Sequence, residues 1–232
     1  MEYITSSDFH FKDTAVALGK FEGIHRGHQL LMDEVKKQEL HGLRSVVFTF
    51  DRPTRLTLTG DTEYKQIYTK KERREILKKR GIDILIEHPF TKEFAALTPD
   101  RFIREVLVEK VGAKVIVVGT DFHFGKNRSG SITDLEKLEE ECGYHLIVVE
   151  KLQLNGKDIS STRIRASLEK GAMEEAKALL GRNYSVSGEI LHGNALGRTI
   201  QVPTINQQVP SFKLLPPNGV YVSKIHWKDE VY

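Results

Sequence analysis

The chain has 232 residues, enough for one generous domain or one plus part of another, with hydrophobic residues at 39% and charged residues at 29% as in ordinary globular proteins. Its 35 Lys+Arg against 32 Asp+Glu leave a net charge of +3, too balanced for nucleic acid or an anionic membrane to be the main partner. The single cysteine, Cys142, excludes an internal disulfide and a cysteine-based zinc cluster, and with no signal-like start and no run approaching ~18 apolar residues the composition points to the cytoplasm.

An apolar run at Val16–Leu18 leads into a glycine-rich turn, and HQLLMDEVKKQEL then places Leu30, Leu31 and Val35 at helical spacing. SVVFTF (45–50) reads as a strand buried on both faces. TKKERREILKKRG (69–81), with its Thr cap and terminal Gly, reads as a surface helix, and its basic run as a solvated face. DILIEHPF (83–90) is the third strand. TPDRFIREVLVEKVG (98–112) is a helix with Thr98 as N-cap, Pro99 at the first helical position and Gly112 past the end. AKVIVVG (113–119) is the fourth strand, SITDLEKLEEECG (131–143) a helix and YHLIVVEKL (144–152) the fifth strand. Two short helices broken at Gly171 follow. Strands and helices alternating at this spacing predict a doubly wound, largely parallel α/β sheet. After Gly181 the pattern changes to short alternating runs broken by Gly, Pro and Asn, which predicts antiparallel strands. The boundary falls between 1–182 and 183–232, and about 50 residues make too small a β domain to bury its own core.

The turn GKFEGIHRGH (19–28) raises the chemical question. Gly19, Gly23 and Gly27 let the backbone approach a ligand, and a helix N-terminus offers free N–H groups to an anion. His25 and His28 could add donors to phosphate oxygens or supply two zinc ligands, although no nearby Cys or carboxylate trio completes a zinc site. ISSTRIR (159–165) sets Ser160, Ser161 and Thr162 at a helix start with Arg163 and Arg165 inside it, a set suited to pyrophosphate or to plain capping. GTDFHFGKNRSG (119–130) follows the fourth strand as a flexible basic loop, with Phe122 and Phe124 available to a ring system or to the core.

GKFEGIHRGH, VVGTDFHFGKNRSGS (117–131) and ISSTRIR stand in one order, and over residues 14–182 they resemble an HxGH nucleotidyltransferase with a Rossmann-like sheet. More narrowly, the chain is similar to the adenylyltransferase half of the bacterial bifunctional riboflavin kinase/FAD synthetase family. GEILHGNALGRTIQVPTIN (188–206) and LPPNGVY (215–221) resemble the start of that family's kinase barrel, here a partial antiparallel β-barrel.

The resemblance implies transfer of AMP from ATP to FMN, giving FAD and pyrophosphate, with Mg2+ bridging phosphates. It implies catalytic roles for His25, His28, Arg163 and Arg165, ATP contacts from Gly19, Phe21, Gly23, Ser160, Ser161 and Thr162, and flavin contacts from Asp121, Phe124 and Arg128. Thr204 and Asn206 would be the kinase's metal and phosphate residues. Glu22 stands where the family has Asp, FDRPTR (50–55) departs from its FxPxP-like segment, and Gln201 replaces a Gly. The family's basic Glu lies beyond Tyr232, so riboflavin kinase activity is not expected of this chain. The alternatives are a bifunctional enzyme that also phosphorylates riboflavin, another phosphate acceptor, or a flavin-binding regulator without turnover. No partner beyond ATP and FMN is implied, and the oligomeric state is open.

Overall fold

A run in which every residue is apolar or small forms a strand covered on both faces, and β2 (Thr14–Leu18) is buried along its whole length. The computed structural model describes residues 1–53, 60–61, 63–193, 201, 204–227 and 230–231. Beside β2 run β3 (Arg44–Phe50), β4 (Ile84–His88), β5 (Ala113–Gly119) and β6 (His145–Val149), all parallel, and β1 (Glu2–Ile4) closes the edge on β4. The order is β1-β4-β3-β2-β5-β6, so the winding reverses between β2 and β5. Ligands of such sheets collect in the crevice at that reversal, outside the C-terminal strand ends.

Alternation along each strand divides two cores. Val16, Leu18, Phe48, Ile86 and Ile116 face a helical segment that opens at Pro99–Arg101 and continues as a π-helix over Phe102–Lys110. Ala15, Ala17, Val47, Leu85 and Val117 face Leu31, Met32 and Val35 of α1 (Arg26–Lys37) and Leu77 of α2 (Lys70–Lys79). The two alanines leave room for α1 to lie close on β2. α3 (Ile132–Cys142) covers the first face, while α4 (Ser161–Glu169) and α5 (Met173–Leu180) build a third cluster with Ile67, Tyr68 and Leu214.

The parallel α/β reading and the helix break at Gly171 match the structure. Three elements differ from the expectation. β1 is a sixth strand, the 98–112 helix is mostly π-helical with Val111 N–H bonded to Val106 O, and a hairpin of β7 (Gln153–Leu154) and β8 (Lys157–Asp158) turns at Asn155-Gly156. The C-terminal antiparallel pattern takes the form of two ribbons, β9 (Glu189–Leu191) with β10 (Asn206–Gln208) and β11 (His226–Trp227) with β12 (Glu230–Val231). A closed barrel is not seen among the described residues. Residues 194–200 and 202–203 of the kinase-like motifs, 54–55 of FDRPTR, and Tyr232 lie outside the described residues.

A buried ion pair helps fasten the C-terminal part to the sheet domain. Lys213 Nζ donates to Glu72 Oε2 (2.7 Å), Ile67 O (2.7 Å) and Ser185 O (3.0 Å), under the rings of Tyr68 and Tyr184. Glu72 also accepts from the Ser187 N–H and hydroxyl and from the Thr69 N–H, so both charges are fully engaged. Removing one partner strands the other in a dry site. Glu72→Ala should therefore lower unfolding stability by about 3–5 kcal/mol, read by urea titration; an unmoved midpoint would show that the pair does not hold the segment.

Candidate active site

The C-terminal end of β2 has to reverse into α1 at the sheet's switch point, and it does so through backbone that L-residues avoid. Phe21 (φ 45°) and Ile24 (φ 42°) both lie in the left-handed region and both side chains are fully buried. A Cβ on Gly19 would sit 3.0 Å from the Phe21 ring, so a larger residue there would crowd the ring that the turn folds over it. Such a fold-back leaves His25 as the N-cap of α1, its Nδ1 accepting the His28 N–H at 3.2 Å.

That bond fixes the chemistry of His25. With Nδ1 an acceptor, the neutral ring carries its proton on Nε2 and can donate only there. The two imidazoles stack at 3.6 Å and Phe21 meets His28 edge-on at 5.0 Å. Burial, and next the Arg182 cation, push His25 down to about 4, with Asp121 opposing. Burial, His25 and Arg182 push His28 well below the ordinary histidine range. Both rings are therefore neutral at pH 7. His28 is only partly covered as a residue, yet its Nδ1 is buried and has no partner among the described residues. Buried polar atoms are seldom left so.

Ser160 caps α4, accepting the Arg163 N–H at 3.2 Å. Gly23 is the meeting point of turn and helix. A Cβ there would lie 3.3 Å from Ile164 Cδ1 and 3.7 Å from Ser161 Oγ. The Ser160-capped start of α4 thus lies against the turn that carries His25 into α1, at the sheet's switch point.

The two arginines of ISSTRIR are occupied. Arg163 bonds Glu175 through Nε (3.1 Å) and Nη2 (2.9 Å), and its Nη1 bonds Leu154 O and Lys157 O. It ties α4 to α5 and to the β7–β8 hairpin. Arg165 reaches the turn through Glu22: Nη2 meets Oε1 at 2.5 Å, while Tyr64 OH and the Ile67 N–H hold the same carboxylate. The longer Glu22 is thus gripped by three donors, a role its sequence position did not announce.

The loop after β5 is less free than expected. Phe124 and Gly130 exchange two backbone bonds, and Phe124 is buried against Phe102. It anchors the loop in the core, with Phe122 stacked on it at 5.4 Å. Asp121 is exposed and paired with Lys151 (3.2 Å); Arg128 is exposed at φ 58°. Thr204 and Asn206 are exposed, Asn206 opening β10 opposite Leu191 of β9, and Gln201 holds φ 57°, the region a glycine would favour. Among the described residues no three His, Cys, Asp or Glu side chains converge on a metal position. Sequence reading missed Arg182, which holds the turn from a distant helix end, and a lone Arg after Gly181 offers no local signal for it.

The family model for FAD synthetase matches residues 8–163, and that for riboflavin kinase matches residues 180–232. A bifunctional riboflavin kinase/FMN adenylyltransferase of Listeria monocytogenes is 33% identical over 231 residues, 99% of this chain and 73% of that protein. The protein of the same name from Bacillus subtilis is 35% identical over 222 residues, 94% and 69% of the two chains. A crystal structure described as a macrolide-efflux protein of Streptococcus pneumoniae is similar at a TM-score of 0.89 and 31% identity, covering all of this chain and 77% of that one. No helix among the described residues is long and apolar enough to cross a membrane. The match over residues 180–232 gives no support to the expectation that the second activity is missing.

A histidine buried neutral must charge when the chain is acidified. Since the folded value of His25 lies near 4 and the ordinary one at 6.5, the unfolded chain binds more protons between them, and stability falls as pH drops through that window. His25→Asn keeps a capping acceptor and removes the titration. Urea midpoints of the variant should decline less steeply from pH 6.5 to 4 than those of the unaltered chain; parallel slopes would contradict the assignment.

Proposed function

The chain belongs to the FAD synthetase family, and from that premise we propose that its switch-point crevice binds ATP and passes the adenylyl group to the phosphate of FMN, giving FAD and pyrophosphate. The observation that carries this reading is the approach of Ser161, in the first turn of the Ser160-capped α4, to Gly23 of the turn that leads into the stacked His25–His28 pair. Two helix N-termini and two neutral imidazoles in one crevice are suited to a triphosphate.

In the reaction an FMN phosphate oxygen attacks the α-phosphorus in line. The bond from that phosphorus to the bridging oxygen of the β-phosphate breaks, and pyrophosphate leaves with the electron pair. An ionised phosphate needs no base, so catalysis rests on positioning and on donors aimed at the developing charge. His25 donates from Nε2, the nitrogen its cap bond leaves protonated. His28 supplies the second imidazole, while the α4 N–H groups with Ser161 and Thr162 receive the leaving pyrophosphate. Glu22, Arg165 and Arg163 hold the two platforms in place, and Asp121 and Arg128 stand on the flavin side at the end of β5.

ATP oxygens are the natural ligands of Mg2+, which keeps most of its shell from phosphates and water. The residues at hand fit an ion that arrives with the nucleotide: no cage of three acidic or imidazole groups exists among the described residues, and Asp121 is the exposed carboxylate beside the crevice. Bound there, the ion would offset phosphate charge.

The test is product analysis by chromatography with ATP, Mg2+ and either FMN or riboflavin. FAD and pyrophosphate should form from FMN, and His28→Ala should lower kcat about 10²–10³-fold while FMN still quenches on binding. A chain that binds FMN and forms no FAD would overturn the reading. Product from riboflavin would add the kinase activity to this chain.

A further inference from the structure

Arg182 lies outside the three motifs of the crevice and past the end of the FAD synthetase match, within the segment matched by the riboflavin kinase model. Its guanidinium nevertheless grips the opening turn. Nη2 donates to Gly23 O at 2.9 Å, and Nη1 donates to Ile24 O at 2.8 Å and Leu180 O at 3.2 Å. Gln29 Nε2 adds a second bond to Ile24 O (2.9 Å) and to Leu180 O (2.8 Å). The approach is close because Gly181, at φ 70°, ends α5 against α1, where a Cβ would lie 3.1 Å from Arg26 Cγ.

In a trans peptide the N–H points opposite to the C=O. Holding the carbonyls of Gly23 and Ile24 on the Arg182 side therefore turns the N–H groups of Ile24 and His25 to the other side. Neither of these N–H groups has an acceptor among the described residues. The His28 Nδ1 close by is likewise buried and unpartnered. Three donor or acceptor atoms thus stand ready around the turn, and two of them are aimed by the same side chain.

We propose that Arg182 is a positioning residue for adenylyl transfer, supplied to the crevice by the kinase-matching segment, which fixes the peptide planes at Gly23–Ile24 and Ile24–His25 so that their N–H groups meet the ATP phosphates. This rests on the adenylyl-transfer reading above. A second consequence is electrostatic. Arg182 faces both imidazoles, His25 also feels Asp121, and His28 also feels His25. The cation favours the neutral rings, so its removal should move their protonation to higher pH.

The experiment compares Arg182→Lys and Arg182→Ala with the unaltered full chain, following FAD formation across pH with folding checked by circular dichroism. Lysine keeps the charge but gathers its donors on one nitrogen, so it cannot reproduce the two-nitrogen fork that holds Gly23 O through Nη2 and Ile24 O and Leu180 O through Nη1. Its kcat should fall about 10²-fold, with the KM for FMN unchanged and the acid limb of the pH profile in place. Alanine should lose at least as much, move the acid limb upward, and regain part of its rate with added guanidinium. If the alanine variant does not fold, the lysine variant carries the test. An unaltered chain that makes no FAD removes the reaction reading and this proposal with it. An active chain whose folded lysine variant keeps its kcat, or loses only FMN affinity, removes the Arg182 proposal alone.

Discussion

Everything at the crevice depends on the reversal between Leu18 and Arg26. A strand buried on both faces must be left, and a helix entered on one of those faces, within seven residues. The chain achieves this by holding Phe21 and Ile24 at positive φ, a conformation that costs about 1–3 kcal/mol for each such residue. Burial of both side chains offsets part of that cost, and the rest falls to the bonds around the turn. Glu22 is fixed on one side by Arg165, Tyr64 and Ile67; Gly23 and Ile24 are fixed on the other by Arg182 and Gln29. The stacked imidazoles sit over Gly27, where a Cβ would come within 3.3 Å of the His25 ring.

The same strain explains which departures from the family pattern the fold tolerates. Glu22 is one methylene longer than the family's Asp, yet its carboxylate finds three donors on the segment 64–67 and on α4. The extra reach is used to touch elements beyond the turn. Gln201 holds a backbone angle, φ 57°, that a glycine would hold more easily.

Much of the fold was legible because its signals are local. Thr69, Thr98 and Ser160 cap the helices they precede, and unbroken apolar runs mark strands that cannot face water. β1 was not legible, since three residues on a sheet edge carry no periodicity. Neither was the π-helix, because its i→i+5 bonding leaves the same composition as an ordinary helix. Asn155-Gly156 is a hairpin signal that a closer reading of residues 153–158 can use. At the site, the histidines announced themselves by their glycine spacing. The true partners of Arg163, Arg165 and Arg182 did not, because those partners are a distant carboxylate or backbone oxygens, and backbone oxygens leave no mark in a sequence.

The buried pair of Lys213 and Glu72 bears on how this protein could have been assembled and how it can be taken apart. Its sequence matches two family models in series, which suggests two exchangeable cassettes. Tyr184 and Leu214 nevertheless pack with Ile67 and Tyr68 of the first cassette, and the Leu214 N–H donates to Gln66 O beside a bridge between Gln66 and Lys213. A cut placed at the seam between the two matches would leave Glu72 without its counter-charge and Tyr68 without its cover. Any graft that swaps the second cassette for another must therefore bring its own lysine and its own aromatic lid, so the inheritable unit is larger than either match.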